Sequence, residues 1–491
     1  MGAQDSMNRV RRLHRRDGLP QAKGQHDAPS IEKSAAKAKL IITPLDSYRR
    51  EVFASYPSQG GDLSRESVDE YISIYRKEEL CLKIMPDVDH PAISVVFPMS
   101  MQDPDLFKCL LVGAQSLHDW RRDPFHVNRS HEMLKLQNDA ILSVRKRLSA
   151  PQAHLDDGVL IAITHLMVAD LCRRDLLSLK AHLKGARQIM SLRGGLSNSP
   201  AHLAVRAIVT MVEFYIALGQ YLYISPPDAA SIPKRQIEFV QHPFPPDICR
   251  DVAKLPIGLA EVALTGHLSV QCIKLLTEVA SWAPLVDGAT TSTEQAVNSQ
   301  DRYCRLFAEP RECSRNAIML LLDLRRSGLP PGLEHVICLG LAIAVRHVSG
   351  ENRTNIFDTT SLAALTKGAK AIDSPSVADS EVIIWISLLV NWRTQSAKPN
   401  DRANELLDYV LESFPASRTW KKVSIICRKF WWFERFRSDW EECWRRGIAR
   451  QQQRSLTDSS SLAVQSREAS YASSLASLLS LPKHSTKDEV E

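Results

Sequence analysis

At 491 residues, 44% of them hydrophobic, the chain is longer than a usual single core and has enough apolar material to fill one large or two fused helical layers. Its 62 Lys and Arg against 56 Asp and Glu give +6, but residues 1–39 hold nine of those cations and four of the acids. The tail therefore carries +5 and the remainder, at 53 against 52, carries +1, which excludes a uniformly basic nucleic-acid binder and leaves only local patches to seek phosphate.

Residues 1–39 have too little apolar content to offset their ordering entropy and are expected to form a basic disordered tail. Within it Arg9, Arg11, Arg12, Arg15 and Arg16 make one run, a candidate nuclear import signal or a nonspecific phosphate contact. The roughly 7–15-residue apolar core of a secretory signal is missing there, so secretion is not expected. Order is expected from Leu40, with a helical domain over residues 40–450.

The spacing of Val68, Tyr71, Ile72 and Tyr75 predicts a helix over Ser64–Ile84. In the next segment, Phe97–Gln115, Asp103 is positioned as an N-cap with Pro104 at the first helical position, and Leu106, Phe107, Leu110, Leu111 and Ala114 form one apolar face. Helices follow at His131–Leu148 and at Asp156–Leu171, where Asp156 and Asp157 read as an N-cap and a first-turn acid. In the segment His182–Leu196, HLKGARQIMSLRGGL, the positions Leu179, Leu183, Ala186, Ile189 and Met190 recur at helical spacing, and Gly194–Gly195 can take the positive φ at which a helix stops. Ser199 starts a helix over Ala201–Leu222.

Six prolines between Ser225 and Pro256 rule out a continuous helix and predict an irregular crossing that can divide the domain into two halves. The second half is expected to resume over Val252–Trp282, with further helices at 299–326, 333–348, 360–371, 379–394, 400–413 and 416–449. The longest apolar stretches, Leu160–Leu171 and Val382–Val390, are too short to span a bilayer, which takes about 20 residues. Seven of the nine tryptophans fall after residue 380 and are expected to pack the closing helices instead of boxing a ligand. From Gln451 to Glu491 the chain is rich in Ser and Gln and reads as a second disordered tail. No alternating β pattern of useful length appears, so the fold class is all-α.

Residues suited to catalysis are sparse. There is no G-x-S-x-G, no G-x-x-x-x-G-K-[ST], no G-x-G-x-x-G and no H-E-x-x-H, and the Asp156–Asp157 pair lacks the third acid that a diphosphate-binding helix needs. His118, His126 and His131, beside Asp119 and Asp123, match no ligand spacing and read as surface-loop histidines. His182 reads as a partly buried histidine bonded to a backbone carbonyl, and Arg187 and Arg193 as cations of a helix C-terminus. The ten cysteines, at 81, 109, 172, 249, 272, 304, 313, 338, 427 and 443, contain no C-x-x-C pair and read as thiols of a reducing compartment, mostly core residues. No catalytic, cofactor or metal residue is assigned, and no cofactor is expected.

Taken in order, these helices resemble the fungal-specific transcription factor domain. The 182–196 segment carries the resemblance, together with Phe97–Gln115, His131–Leu148, Asp156–Leu171, Glu381–Trp392 and the Trp-rich Ser417–Trp444, over about residues 90–445. The resemblance implies a nuclear transcriptional regulator, commonly of metabolic or secondary-metabolite genes, that is not an enzyme. Its implied partners are other transcription factors or coregulators, a small-molecule effector and a second copy of the chain, with no membrane. Many relatives begin with a six-cysteine zinc cluster, whereas the first cysteine here is Cys81, so DNA is expected to be contacted indirectly or weakly. Two other classes fit the residues: an all-α enzyme with its active site between the helical halves, and a scaffold or dimerisation protein without DNA binding.

Overall fold

A computed structural model describes residues 61–77, 90–123, 130–223, 236–287, 299–348, 356–395 and 401–456. The chain divides into units Met1–Ser55 and Tyr56–Glu491, and everything described belongs to the second. The expected basic tail, with Arg9 through Arg16, lies outside the described residues, as does most of the Ser-rich tail.

The described residues are helical, with one isolated bridge between Phe239 and Ser269. Helix α1 is Gly61–Lys77, a π turn at Ala92–Val96 runs into α2 (Phe97–Gln102), and α3 is Pro104–Arg122. Then follow α4 (His131–Leu148), a 3-10 turn at Ala153–Leu155, α5 (Asp157–Arg173), α6 (Leu176–Leu192) and α7 (Pro200–Tyr223). The remaining helices are α8 (Pro246–Val252), α9 (Ile257–Leu264), α10 (Val270–Val286), α11 (Ser299–Arg326), α12 (Leu333–Val348), α13 (Ile356–Lys370), α14 (Val377–Gln395), α15 (Asp401–Ser413) and α16 (Trp420–Cys427), with α17 at 437–456.

Local sequence sets many of these boundaries. Asp103 accepts hydrogen bonds from the amides of Asp105 and Leu106 at 3.0 and 3.1 Å, Ser130 from Met133 at 3.1 Å, Asp156 from Gly158 at 2.8 Å and Asp175 from Ser178 at 3.1 Å. Each satisfies amide groups that the first turn of a helix leaves without an intrahelical acceptor. At the end of α6, Gly194 and Gly195 take φ values of 76° and 109°. The Gly195 amide reaches the Met190 carbonyl and the Gly194 amide that of Ser191, the paired bonds of a Schellman stop.

Three expected boundaries are corrected. The stretch expected as one helix over Val252–Trp282 is three pieces, because Pro256 and the positive-φ Gly266 interrupt it. The stretch expected as one helix over 416–449 breaks at 428–433, where Phe430, Trp431 and Phe433 are all buried. Consecutive aromatic residues on a helix point to different sides, so leaving the helix lets all three enter the core. Phe430 stacks on Trp385 at 5.1 Å, the Trp385 indole donates to the Trp431 carbonyl, and the freed Lys429 carbonyl accepts the Gly258 amide at 2.8 Å. Finally, α17 continues to residue 456, into the stretch read as the start of the tail.

Two apolar cores are built from these elements. The first gathers α3, α4, α5, α6 and one face of α7, with α5 buried at almost every position from Gly158 to Asp170. The second runs from α7 to α17 and holds Trp282, Trp385, Trp392, Trp431 and Trp440. Helix α7 belongs to both: Ala201, Ala204, Val205, Val209 and Val212 face the first core, while Leu203, Phe214, Ala217 and Leu218 face the second. Its 24 residues, with a mean hydropathy of 1.5 over its most apolar window, make it the one helix among the described residues long and apolar enough to cross a membrane. That apolarity is used here by two protein cores meeting on one element. In the second core α12 and α14 cross closely at Gly340, where an added Cβ would stand 2.6 Å from the Ile386 side chain.

The buried face of α6 gives a direct test. Leu183 is buried and Lys184 exposed on adjacent positions. Leu183→Asp is expected to cost about 4 kcal/mol and to lower the melting temperature or remove soluble protein, while Lys184→Ala leaves the melt unchanged, as followed by circular dichroism.

Candidate functional site

Charged side chains in the first core concentrate at the two ends of α5. At its N-terminus Asp156 caps the helix with one carboxylate oxygen and accepts from Arg147 Nη2 at 2.7 Å with the other. Arg147, from the last turn of α4, also pairs with Asp103, the N-cap of α3. One guanidinium thus ties together two helix N-caps, and its fork geometry suits two carboxylates at once. Burial disfavours the charged guanidinium, but its hydrogen bonds to the Asp156 and Asp103 carboxylates and their charges outweigh it and raise the Arg147 pKa above its ordinary value.

The neighbouring Asp157 points the other way. Its Oδ1 accepts from Arg193 Nη2 and from His202 Nε2, each at 2.9 Å. Arg193 is the C-cap of α6 and His202 lies in the first turn of α7, so a single carboxylate joins the end of one helix to the start of the next. Partial burial pushes the Asp157 carboxyl up, yet His202 and Arg193 outweigh it and hold it below its ordinary value. Beyond His202, its Nδ1 accepts the Ser197 amide at 3.0 Å and lies 2.8 Å from Ser197 Oγ. The order Ser197–His202–Asp157 has the connectivity of a nucleophile relay. The same atoms, however, staple the 194–199 loop: Ser197 Oγ also accepts the Ser199 amide, and Ser199 caps α7 through the His202 amide.

At the C-terminal end of α5 the fully buried Asp170 accepts from Arg173 Nη2 at 2.7 Å and meets His182 Nδ1 at 2.6 Å. Arg173 reaches on to Gln137 Oε1 of α4 at 2.6 Å. His182 therefore pairs with a carboxylate of the neighbouring helix, not with the expected backbone carbonyl. Arg187 and Arg193 are corrected as well. Arg187 pairs with Glu213 of α7 at 2.7 Å, and Glu213 also accepts from Arg315 of α11 at 2.9 Å, linking α6, α7 and α11. These cations serve neighbouring helices instead of the dipole of their own.

The other candidates are not brought together. His118 lies on α3, 3.9 Å from Glu70 of α1, and not in a loop; His131 is the exposed first residue of α4; His126 lies outside the described residues. No group of three or more His, Cys, Asp or Glu suited to a metal occurs among the described residues. His165 is buried in α5 and pulled down to about 4 by burial, so it is neutral. Burial pushes the thiols of Cys109 and Cys172 up to about 12, which leaves them protonated and poor nucleophiles. Glu334 of α12 has its carboxyl raised by burial, but Ser269, the N-cap of α10, donates to it through both amide and hydroxyl. That bond gives it a place in the packing of the second core.

The described charges therefore define an all-α domain in which ionisable groups join helices instead of gathering around a reacting centre. Residues 73–219, from within α1 to within α7, match the model of the family described as the fungal specific transcription factor domain. The similarity is confined to this stretch, less than half of the 491-residue chain. The matched region takes in the first core and stops in the helix that both cores share, whereas the C-terminal blocks at 381–392 and 417–444 lie beyond it. No curated protein and no solved structure matches the chain.

Two outcomes test the clamp on α5. Asp170→Ala leaves the nearly buried Arg173 charge without its carboxylate and is expected to cost about 3–5 kcal/mol by chemical denaturation. The double variant Asp170→Leu/Arg173→Met recovers most of that loss. For Asp157, a folded-state pKa below the unfolded one stabilises fully above the ordinary carboxylate value of 3.8 and ceases to do so as pH falls through the depressed folded value. Asp157→Asn is thus expected to lower the melting temperature at pH 7, and the gap to the parent closes as pH drops below that value.

Proposed function

We propose that the chain regulates a fungal gene set from the nucleus, acting through partner proteins that dock on its helical domain. The match over residues 73–219 supports this reading above all else. The side chains favour it too. Asp156, Asp157, Asp170, His182 and His202 of the first core are held in interhelical pairs, an arrangement that fixes a surface. A metabolic gene set, including a secondary-metabolite pathway, is the proposed target. Other transcription factors or coregulators are the proposed partners, with a small-molecule effector or a second copy of the chain as further inputs. The protein is not proposed to be an enzyme.

The run Arg9–Arg16 is proposed as the import signal, with five arginines in eight positions. In a reporter strain, the full chain fused to an unrelated DNA-binding domain is expected to change transcription from that domain's site by fivefold or more. No change would reject regulation. In the same strain, replacing Arg11, Arg12, Arg15 and Arg16 by alanine is expected to move a fluorescent fusion from nucleus to cytoplasm with an unchanged melt of the purified protein, and an added unrelated import signal restores regulation. Unchanged localisation rejects the import role; restored localisation without regulation assigns the arginines to partner or phosphate binding.

A further inference from the structure

Large apolar side chains are unevenly distributed over the surface of the first core. On α4, Leu134, Leu142 and Leu148 are exposed; in the following 3-10 turn, Leu155; and on α6, Leu176, Leu177 and Leu192, with Leu177 at 85% exposure. All three elements pack against α5, and the 3-10 turn also touches both α4 and α6. Scattered surface leucines need no explanation, but seven exposed leucines on three elements packed on one central helix are a concentration of apolar surface of the kind an interaction site uses.

The charges on these elements are mostly positive. Residues 131–155 hold four Lys/Arg and two Asp/Glu, and α6 holds three Lys/Arg and no acid, which together make seven against two. Arg147 and Arg187 are occupied by carboxylates, but Lys135, Arg145, Lys146, Lys180 and Lys184 are exposed, against Glu132 as the exposed acid. The spacing between the two helices is also fixed. Arg173 holds α4 through Gln137 and, through Asp170 and His182, holds α6. A surface held in this way does not have to be ordered when a ligand arrives.

We propose that the face formed by α4, the 3-10 turn and α6 docks an acidic amphipathic helix of a partner protein. The leucines would receive the apolar side of that helix and the exposed lysines and Arg145 its carboxylates. A nucleic acid would use the cations and gain nothing from seven leucines, since phosphate contacts are polar and charged. A partner combining carboxylates with apolar side chains at helical spacing uses both. This inference deepens the reading as a regulator that works through partners, and it is measured independently of regulation.

The test uses the purified full chain and fluorescence anisotropy of a labelled 20-residue peptide with Asp and Glu on one helical face and Leu and Phe on the other. A scrambled peptide of the same composition, a random-sequence DNA duplex and phosphatidylserine-containing vesicles are run in parallel. Saturable binding of the helical peptide is expected, weakened about tenfold or more by Lys180→Glu/Lys184→Glu and, separately, by Leu142→Ser/Leu177→Ser, both with unchanged circular-dichroism melts. Equal binding of the scrambled peptide, indifference to both double variants, or binding of only the duplex or only the vesicles would overturn the proposal. Peptide binding together with an inert reporter fusion would uphold the docking face and reject the regulatory reading.

Discussion

Helix α5 is buried along its length from Gly158 to Asp170, so charged groups can serve it only at its two ends. Asp156 caps its first turn through the Gly158 amide, and Asp156, Asp157 and Asp170 carry the ion pairs at its two ends. Asp156 and Asp157 are held by arginines of α4 and α6, and Asp170 by Arg173 of its own helix together with His182 of α6, so the same pairs tie α3, α4, α6 and α7 to α5. Apolar packing alone would tolerate sliding of one helix along another. Bidentate and paired hydrogen bonds at both ends of the central helix do not.

This arrangement makes α6 a rigid platform. Its inner face is packed by Leu179, Leu183, Ala186 and Ile189, its N-terminal half is tied to Asp170, and its C-cap Arg193 is tied to Asp157. The outer face is left to carry lysines and leucines. Helix α7 then transmits the position of the first core to the second, because its two sides are buried in different cores and Glu213 holds Arg187 and Arg315 together.

Much of the local structure was legible in the sequence. The caps Asp103, Ser199 and Asp156, the Gly194–Gly195 stop and the apolar faces of α3 and α6 follow from contacts within a few residues, so short sequence windows contain the relevant physics. The roles of His182, Arg187, Arg193 and His118 were not legible. Each has its partner on another helix, as far as 48 residues away for His118 and Glu70, and sequence alone offers only the nearest dipole or carbonyl as an explanation. The one available signal was Asp170, an acid at the end of a long apolar run, which a buried helix retains only if a cation meets it.

The sequence by itself determined the class of fold, the ends of most helices and the balanced charge of the body, because these depend on residue type and local spacing. Tertiary structure decided where the C-terminal aromatic stretch leaves the helix, since burying Phe430, Trp431 and Phe433 together requires the facing surface of Trp385 and Gly258. It also decided which charges are occupied and which remain on the surface. Lys184 and Arg193 are both cations of one helix, yet only the position of Asp157 makes one a clamp and leaves the other facing solvent. The energy of a charge depends on what lies within a few ångströms of it, and that distance is set by the packing of helices remote in sequence.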